Sequence, residues 1–251
     1  MSSLPTDIWQ VIVGFCHQKL MLREVCKQLS DELEYFVAWS HLPKKPIINF
    51  PTNFRVELRL NLYTYNEDLR QTGIDFRHFV SLNCQDNVYL QDDDLVLFKS
   101  LTIFYCGMSP YLTDKGLSYL KNLISLKWVS NSNFTDEGLV HLEKLEVLEC
   151  GWNTNFSDKG IAHLKNLKIL ICEYNNNFTD FGLKFLQKLV TLDCGWNRKF
   201  TNDGISHLKS LEEIILNDDA ENIDTRYNKD SFPFVEVDDP PYSKRVFKRV
   251  W

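Results

Sequence analysis

The sequence predicts an α/β fold, a solenoid of short parallel strands curved into one sheet and backed by convex helices, with a small all-α domain in front. Three observations predict it: a motif that recurs every 22 residues, two apolar columns that share that period, and apolar residues at helical spacing ahead of the first copy. Phe134-Thr135-Asp136-Glu137-Gly138 returns as Phe156-Ser157-Asp158-Lys159-Gly160 and as Phe178-Thr179-Asp180-Phe181-Gly182. Leu112-Thr113-Asp114-Lys115-Gly116 precedes these copies and Phe200-Thr201-Asn202-Asp203-Gly204 follows them. One period further back, Leu90-Gln91-Asp92-Asp93-Asp94 keeps the apolar and acidic positions and loses the glycine. Self-similarity at a period of 20 to 50 residues is the signature of stacked units, each too small to bury its apolar face alone.

The strand of each unit is read from the apolar columns. One column runs Leu82, Phe104, Leu126, Leu148, Leu170, Leu192, Ile214; the other, two residues later, runs Cys84, Cys106, Trp128, Cys150, Cys172, Cys194, Leu216. In Leu148-Glu149-Cys150 the outer pair points inward and Glu149 to the opposite, concave face, the alternation of a half-buried strand. Thr135 or Asp136 is placed to cap the helix that follows, whose Leu139, Leu142 and Leu145 recur at three-residue steps. With Leu145 and Asn153 the unit spells Leu-x-x-Leu-x-Cys-x-x-Asn, which resembles the leucine-rich-repeat consensus with cysteine in a leucine slot. Leu60 and Leu62 fall one period before Leu82 and Cys84, extending the expected repeats to residues 60–217, regular from 82.

Composition narrows the function classes. Thirty-four acidic against 28 basic residues give a net charge of −6, which argues against a footprint for phosphate backbones. No apolar run reaches the roughly 18 residues of a membrane span, and the opening Met1–Gln10 lacks a basic leader region. The expectation is a cytoplasmic, possibly nuclear, protein that is not secreted and does not engage nucleic acid or membrane. Five of the seven cysteines fill the repeat column, as small buried hydrophobes rather than a disulfide framework or metal site. His141, His163 and His207, with Tyr119 and Phe185 at the intervening steps, read as an amphipathic helix position; zinc ligands would have to converge far more closely than packed helices allow. The sequons at Asn133, Asn155 and Asn177 read as a by-product of the repeat. Asn131, Asn153, Asn175 and Asn197 form a ladder whose amides can bond the backbone of adjacent turns.

The residues that look suited to binding are Trp152, Tyr174 and Trp196, large aromatics 22 apart at the end of the concave strand, with Glu149, Glu173 and Asp193 close by. Aromatics beside charge are what binding hot spots are made of. Trp128 belongs to the inward column and is not one of them. Cys16-His17 is an adjacent thiol and imidazole, yet adjacency in sequence does not supply base-to-nucleophile geometry. No enzyme, metal or cofactor is expected.

Residues 1–42 read as a helical domain. Leu4-Pro5 opens a helix carrying Ile8, Val11 and Ile12, and Leu20, Leu22, Val25, Cys26 and Leu29 continue an apolar helical pattern. Leu4-Pro5, Ile8, Ile12, Leu20, Leu22 and Val25-Cys26-Lys27, in this order and followed by leucine-rich repeats, resemble the F-box and leucine-rich-repeat family. Gln18-Lys19 stand where that pattern commonly has an acidic residue, and the interval from Ile12 to Val25 is short for it. The resemblance implies a substrate receptor of an SCF-type ubiquitin ligase. Leu4, Pro5, Ile8, Ile12, Leu20, Leu22, Val25 and Cys26 would then meet a Skp-type adaptor of a cullin ligase, and the repeats would bind a target protein. The alternative is a free-standing interaction scaffold, monomeric like the receptor outside its complex, whose N-terminal helices are a cap.

Pro43-Lys44-Lys45-Pro46 breaks helical structure, so residues 43–59 are expected to be a linker and N-terminal cap. Residues 218–251, rich in acids and prolines, are expected to be a C-terminal cap or a partly disordered tail, with Val246, Phe247 and Trp251 packing over the last repeat.

Overall fold

The inward columns assemble a single continuous core. Phe104, Leu126, Leu148, Leu170, Leu192 and Ile214 are fully buried, as are Cys84, Cys106, Cys150 and Cys172, with Trp128, Cys194 and Leu216 nearly so. The computed structural model describes residues 76–217 except 86, 108, 129–132 and 154, together with Leu69, 223–224, 233–237 and 244–249, and the backbone of strands at 35–39 and 54–59. Leu4, Pro5, Ile8, Ile12, Leu20, Leu22, Val25 and Cys26 lie outside the described residues, as do Asn131 and Trp251.

One sheet runs through the molecule. Strands β1 (Tyr35–Trp39), β2 (Phe54–Arg59), β3 (Phe79–Cys84), β4 (Ile103–Cys106), β5 (Ser125–Trp128), β6 (Val147–Glu149), β7 (Ile169–Ile171), β8 (Thr191–Asp193) and β9 (Glu213–Asn217) are parallel neighbours in chain order. From β3 onward the register follows the sequence period, Leu82 opposite Phe104 and Leu126 opposite Leu148. Upstream it departs. Leu58, not Leu60, lies opposite Leu82, two residues from the expected match; one of the two enters at the register shift between Val56 and Glu57, the other before it. The boundaries drawn from the sequence move accordingly: Tyr35–Trp39, inside the stretch read as helical, and Phe54–Arg59, inside the stretch read as a linker, are sheet strands.

Each convex segment opens with a single α-helical turn: α1 (Asp92–Leu95), α2 (Asp114–Leu117), α3 (Asp136–Leu139), α4 (Asp158–Ile161), α5 (Asp180–Leu183) and α6 (Asn202–Ser206). Beyond it the chain winds by i→i−3 bonds, Leu142 N–H to the Leu139 carbonyl and Leu145 N–H to Leu142, both 3.0 Å. Leucines at three-residue steps keep one face only on this tighter winding, which explains why the segments are not longer α-helices.

Thr135 caps α3 by accepting from Glu137 N–H at 3.3 Å, and Thr113, Ser157, Thr179 and Thr201 do the same in their repeats. Asp136 does not cap its own helix. Its carboxylate reaches into the next repeat, where Oδ1 accepts from Ser157 N–H at 2.8 Å and Oδ2 from the Ser157 hydroxyl at 2.6 Å. Asp92, Asp114, Asp158 and Asp180 hold the following Thr in the same way. The glycine three residues after the held Ser or Thr leaves room for this carboxylate: a Cβ at Gly160 would lie 2.4 Å from Asp136 Oδ1. Asn202 ends the series by exchanging two bonds with the Asp224 backbone, N–H to Oδ1 at 2.8 Å and Nδ2 to the carbonyl at 2.9 Å.

The C-terminal residues close the sheet with reversed strands. β11 (Lys244–Arg249) runs antiparallel to β9, and β10 (Phe234–Val237) antiparallel to β11. Phe234, Phe247 and Ile223 join the core. Arg249 donates to the Leu208 carbonyl at 2.9 Å and to that of Leu211, filling acceptors the last repeat has no successor to satisfy. Phe247 therefore caps the solenoid from within an added strand opposite Ile214 rather than by lying across it.

Candidate functional site

The asparagine column builds the bend where each strand leaves the sheet. Asn197 Oδ1 accepts from Lys199 and Phe200 N–H at 2.7 and 3.1 Å, and its Nδ2 donates to the carbonyls of Asn175 and Phe178. Asn153 accepts from Asn155 and Phe156, and Asn175 accepts from Asn177 while donating to Phe156. Ser109 fills the same column and donates its hydroxyl to the Leu90 carbonyl at 3.0 Å. A side chain spanning two repeats thus satisfies buried backbone that no strand reaches.

The residue before each of the last three asparagines carries the unusual geometry. Trp152, Tyr174 and Trp196 have φ of 62°, 59° and 57°, a left-handed conformation that is an outlier for bulky residues. It lets the bend close with Asn153 N–H bonding the Cys150 carbonyl at 3.3 Å, while Trp152 and Tyr174 extend the parallel ladder by donating to Glu173 and Gly195 at 2.9 Å. Identical bends on strands roughly 4.8 Å apart put the rings face to face. Trp152 and Tyr174 have centroids 3.8 Å apart, and Tyr174 and Trp196 4.5 Å with planes within 8°. Trp152 is 64% exposed. Backbone strain of order 1–3 kcal/mol per residue concentrates at functional sites, and three such residues share this one ladder.

The carboxylates predicted to accompany the aromatics are placed beside them, each with a cation that the sequence reading omitted. Glu149 pairs with Lys127 at 2.7 Å. Glu173 and Asp193 share Lys244, which reaches back from β11; its distance to Asp193 is 2.8 Å. Burial raises the Asp193 carboxyl above its ordinary range despite that ammonium. Burial pushes the Lys244 ammonium down, but the bonds from Asp193 and Glu173 outweigh it and leave it raised. The Lys127–Glu149 pair is legible as two successive members of one column, a period apart. Lys244 carries no such signal, because it arrives on a strand outside the repeat.

The other side chains singled out in the sequence sit elsewhere. His141, His163 and His207 are exposed on the convex side, and His207 Nδ1 lies 2.6 Å from the Asp203 carbonyl oxygen. The five repeat-column cysteines are free thiols whose ionisation burial drives far upward, so they are inert as nucleophiles. Among the described residues no group of three or more His, Cys, Asp or Glu is placed to hold a metal ion, and no helix is long and apolar enough to cross a membrane.

Against known proteins, no family model and no curated sequence matches the chain. Solved structures do. Internalin F of Listeria monocytogenes is 21% identical over 70% of this chain and 55% of its own, with a TM-score of 0.51. Internalin C2 of the same organism is 20% identical over 65% of this chain and 70% of its own, with a TM-score of 0.50. The fold is a leucine-rich-repeat solenoid. At these identities the likeness is one of fold, and the chain spans little more than half the length of internalin F.

Proposed function

We propose that this leucine-rich-repeat protein is a non-catalytic substrate-recognition subunit of an SCF-type ubiquitin ligase, working in the cytoplasm or nucleus. Its concave face and aromatic ladder bind a target protein, and Leu4, Pro5, Ile8, Ile12, Leu20, Leu22, Val25 and Cys26 dock on a Skp-type adaptor joined to a cullin. The observation that carries target binding is the stack of the half-buried Trp196 and Tyr174 under the exposed Trp152, three large aromatics held in a left-handed conformation that bulky residues rarely adopt. Adaptor docking is supported by the order of the F-box-like residues ahead of the repeats. Its test is co-purification of the full chain with a Skp adaptor. Binding that is lost when Leu4 and Pro5 are both changed to Ala supports the proposal; no binding by the wild type, or binding indifferent to that change, rejects it.

A second reading, a free-standing interaction scaffold, is favoured by the position of β1. Among the described residues the sheet begins at Tyr35, inside the stretch 1–42 read as the F-box-like domain, which leaves only residues 1–34 of that stretch to be helical. On this reading those residues cap the first strands. Their removal would lower the stability of the repeats without costing an adaptor partner.

A further inference from the structure

The edge of the solenoid opposite the aromatic ladder, where each convex segment turns back into a strand, carries mainly one sign of charge. In six successive repeats one of the two residues ahead of the strand-entry leucine is a lysine: Lys99, Lys121, Lys144, Lys165, Lys188 and Lys209, all exposed. The sheet ladder begins just past that leucine. Ile124 N–H donates to the Thr102 carbonyl at 2.8 Å, and Glu146, Lys168, Val190 and Glu212 continue the series at 2.7 to 2.8 Å. Strand spacing of about 4.8 Å then puts the backbones that bear neighbouring lysines roughly 5 to 6 Å apart, inside the screening length of about 8 Å at physiological salt. The acceptors these lysines have are neutral. Lys144 and Lys188 donate to Asn122 and Asn166 at 2.7 Å, and Lys209 to the Ser206 carbonyl at 2.9 Å. Asn122 and Asn166 are themselves fixed by donating to the carbonyls of Lys99 and Glu143. Carboxylates do not balance the row: Glu143 stands within it and Glu212 beside it, while Glu146 is engaged by Lys168 at 2.8 Å. A surface that serves solubility mixes both signs, whereas a cationic row on a chain of net charge −6 is a local field that draws in an anion.

We propose that this lysine row binds an extended acidic segment of a partner protein, its carboxylates lying against the ammonium groups. Six lysines over five repeat steps span about 24 Å, the length of about seven to eight extended residues. The row is lysine throughout, where phosphate recognition favours the arginine fork. The column just inside it adds apolar surface, the exposed Ile124 and the half-buried Val190, which suits a peptide better than a phosphate backbone. This edge lies across the sheet from Trp152, Tyr174 and Trp196, so the inference goes beyond the target-binding reading and does not depend on it.

The test is fluorescence anisotropy of labelled, capped octa-glutamate titrated with the full-length protein, beside octa-serine and an oligothymidylate that carries the same number of charges. Lys99, Lys121 and Lys165 make no side-chain bond among the described residues, so changing all three to Gln removes charge without breaking the turn. Lys159→Gln, Arg198→Gln and Lys199→Gln together remove the same charge from the opposite edge. Octa-glutamate is expected to bind and octa-serine not to. The row variant should weaken octa-glutamate about tenfold or more, and the opposite-edge variant less than about twofold. Should the row variant lose its circular dichroism, the single change Lys121→Gln decides, with an expected loss of about two- to threefold. No binding of octa-glutamate by the wild type, octa-serine binding as well, equal losses in the two triple variants, or oligothymidylate binding more tightly than octa-glutamate overturns the proposal.

Discussion

The two bends of each repeat follow opposite plans. On the convex side, the Asp–Thr pair and the glycine that makes room for it recur with the same contacts from α1 to α6. At the strand exit only the asparagine column is held, and the residue before it ranges from Asp86 to Trp152. Side chains directed along the solenoid axis carry the scaffold, so a position pointing away from it is free to be exposed and strained. Three successive repeats use that freedom for the same purpose, and there alone, among the described residues, non-glycine φ is positive.

The comparison breaks most severely if a scaffold asparagine is removed. Asn197→Ala leaves the buried Phe200 N–H, the half-buried Lys199 N–H and two buried carbonyls without their partner, at a residue that is 3% exposed. The expected loss is about 3 kcal/mol or more by urea denaturation, since each orphaned buried group costs about 1–3 kcal/mol. Ser109→Ala, which removes the hydroxyl bond to the Leu90 carbonyl at the equivalent place, should cost about 1 kcal/mol. Comparable losses at the two positions would show that the column does not work through these bonds.

The convex plan shows what a sequence discloses and what it withholds. Period, strand faces, core columns and the site's aromatics are all visible because each is a local pattern repeated. The job of Asp136 is not: at N1 of a helix it reads as a cap, and its partner Ser157 lies 21 residues away. The shift at Val56/Glu57 is equally silent, since an extra residue on one strand leaves no mark in composition. Lys244 is hidden for a third reason. It belongs to a strand whose direction reverses, so no column predicts that it crosses β9 to reach Asp193 and Glu173.

Gly160 and Asp136 sharpen the comparison next. Glycine to alanine in a helix ordinarily stabilises by about 1 kcal/mol. Here the new Cβ would sit 2.4 Å from Asp136 Oδ1 and 3.0 Å from a Leu139 methyl, so Gly160→Ala should instead destabilise by about 1–3 kcal/mol. Asp136→Ala alone should cost about 1–3 kcal/mol by leaving Ser157 unpaired. Together they should cost less than their sum, because removing the carboxylate removes most of the clash. Additive losses in a double-mutant denaturation cycle would contradict the account of the glycine column.

The smallest expected effect lies at the meeting of scaffold and site, where Asp193 is buried on the concave face. Its carboxyl titrates above 3.8, the ordinary value that the unfolded chain restores. The folded state therefore holds this proton more tightly than the unfolded state. Its contribution to stability is present below 3.8 and is lost as pH rises through the folded value. Lys244 restrains the shift, so Lys244→Met should raise the Asp193 carboxyl further, carry the loss to higher pH and lower stability at neutrality. The Lys244 ammonium, itself raised, contributes below 10.5 and loses its effect only in the alkaline range above that, so the two windows do not overlap. Asp193→Asn should flatten the acid-side slope in a series of urea midpoints between about pH 4 and pH 7, the span through which a raised carboxyl titrates. If wild type and Asp193→Asn share one slope, desolvation does not govern this carboxylate, and Lys244 serves to complete the charge pattern rather than to offset its burial.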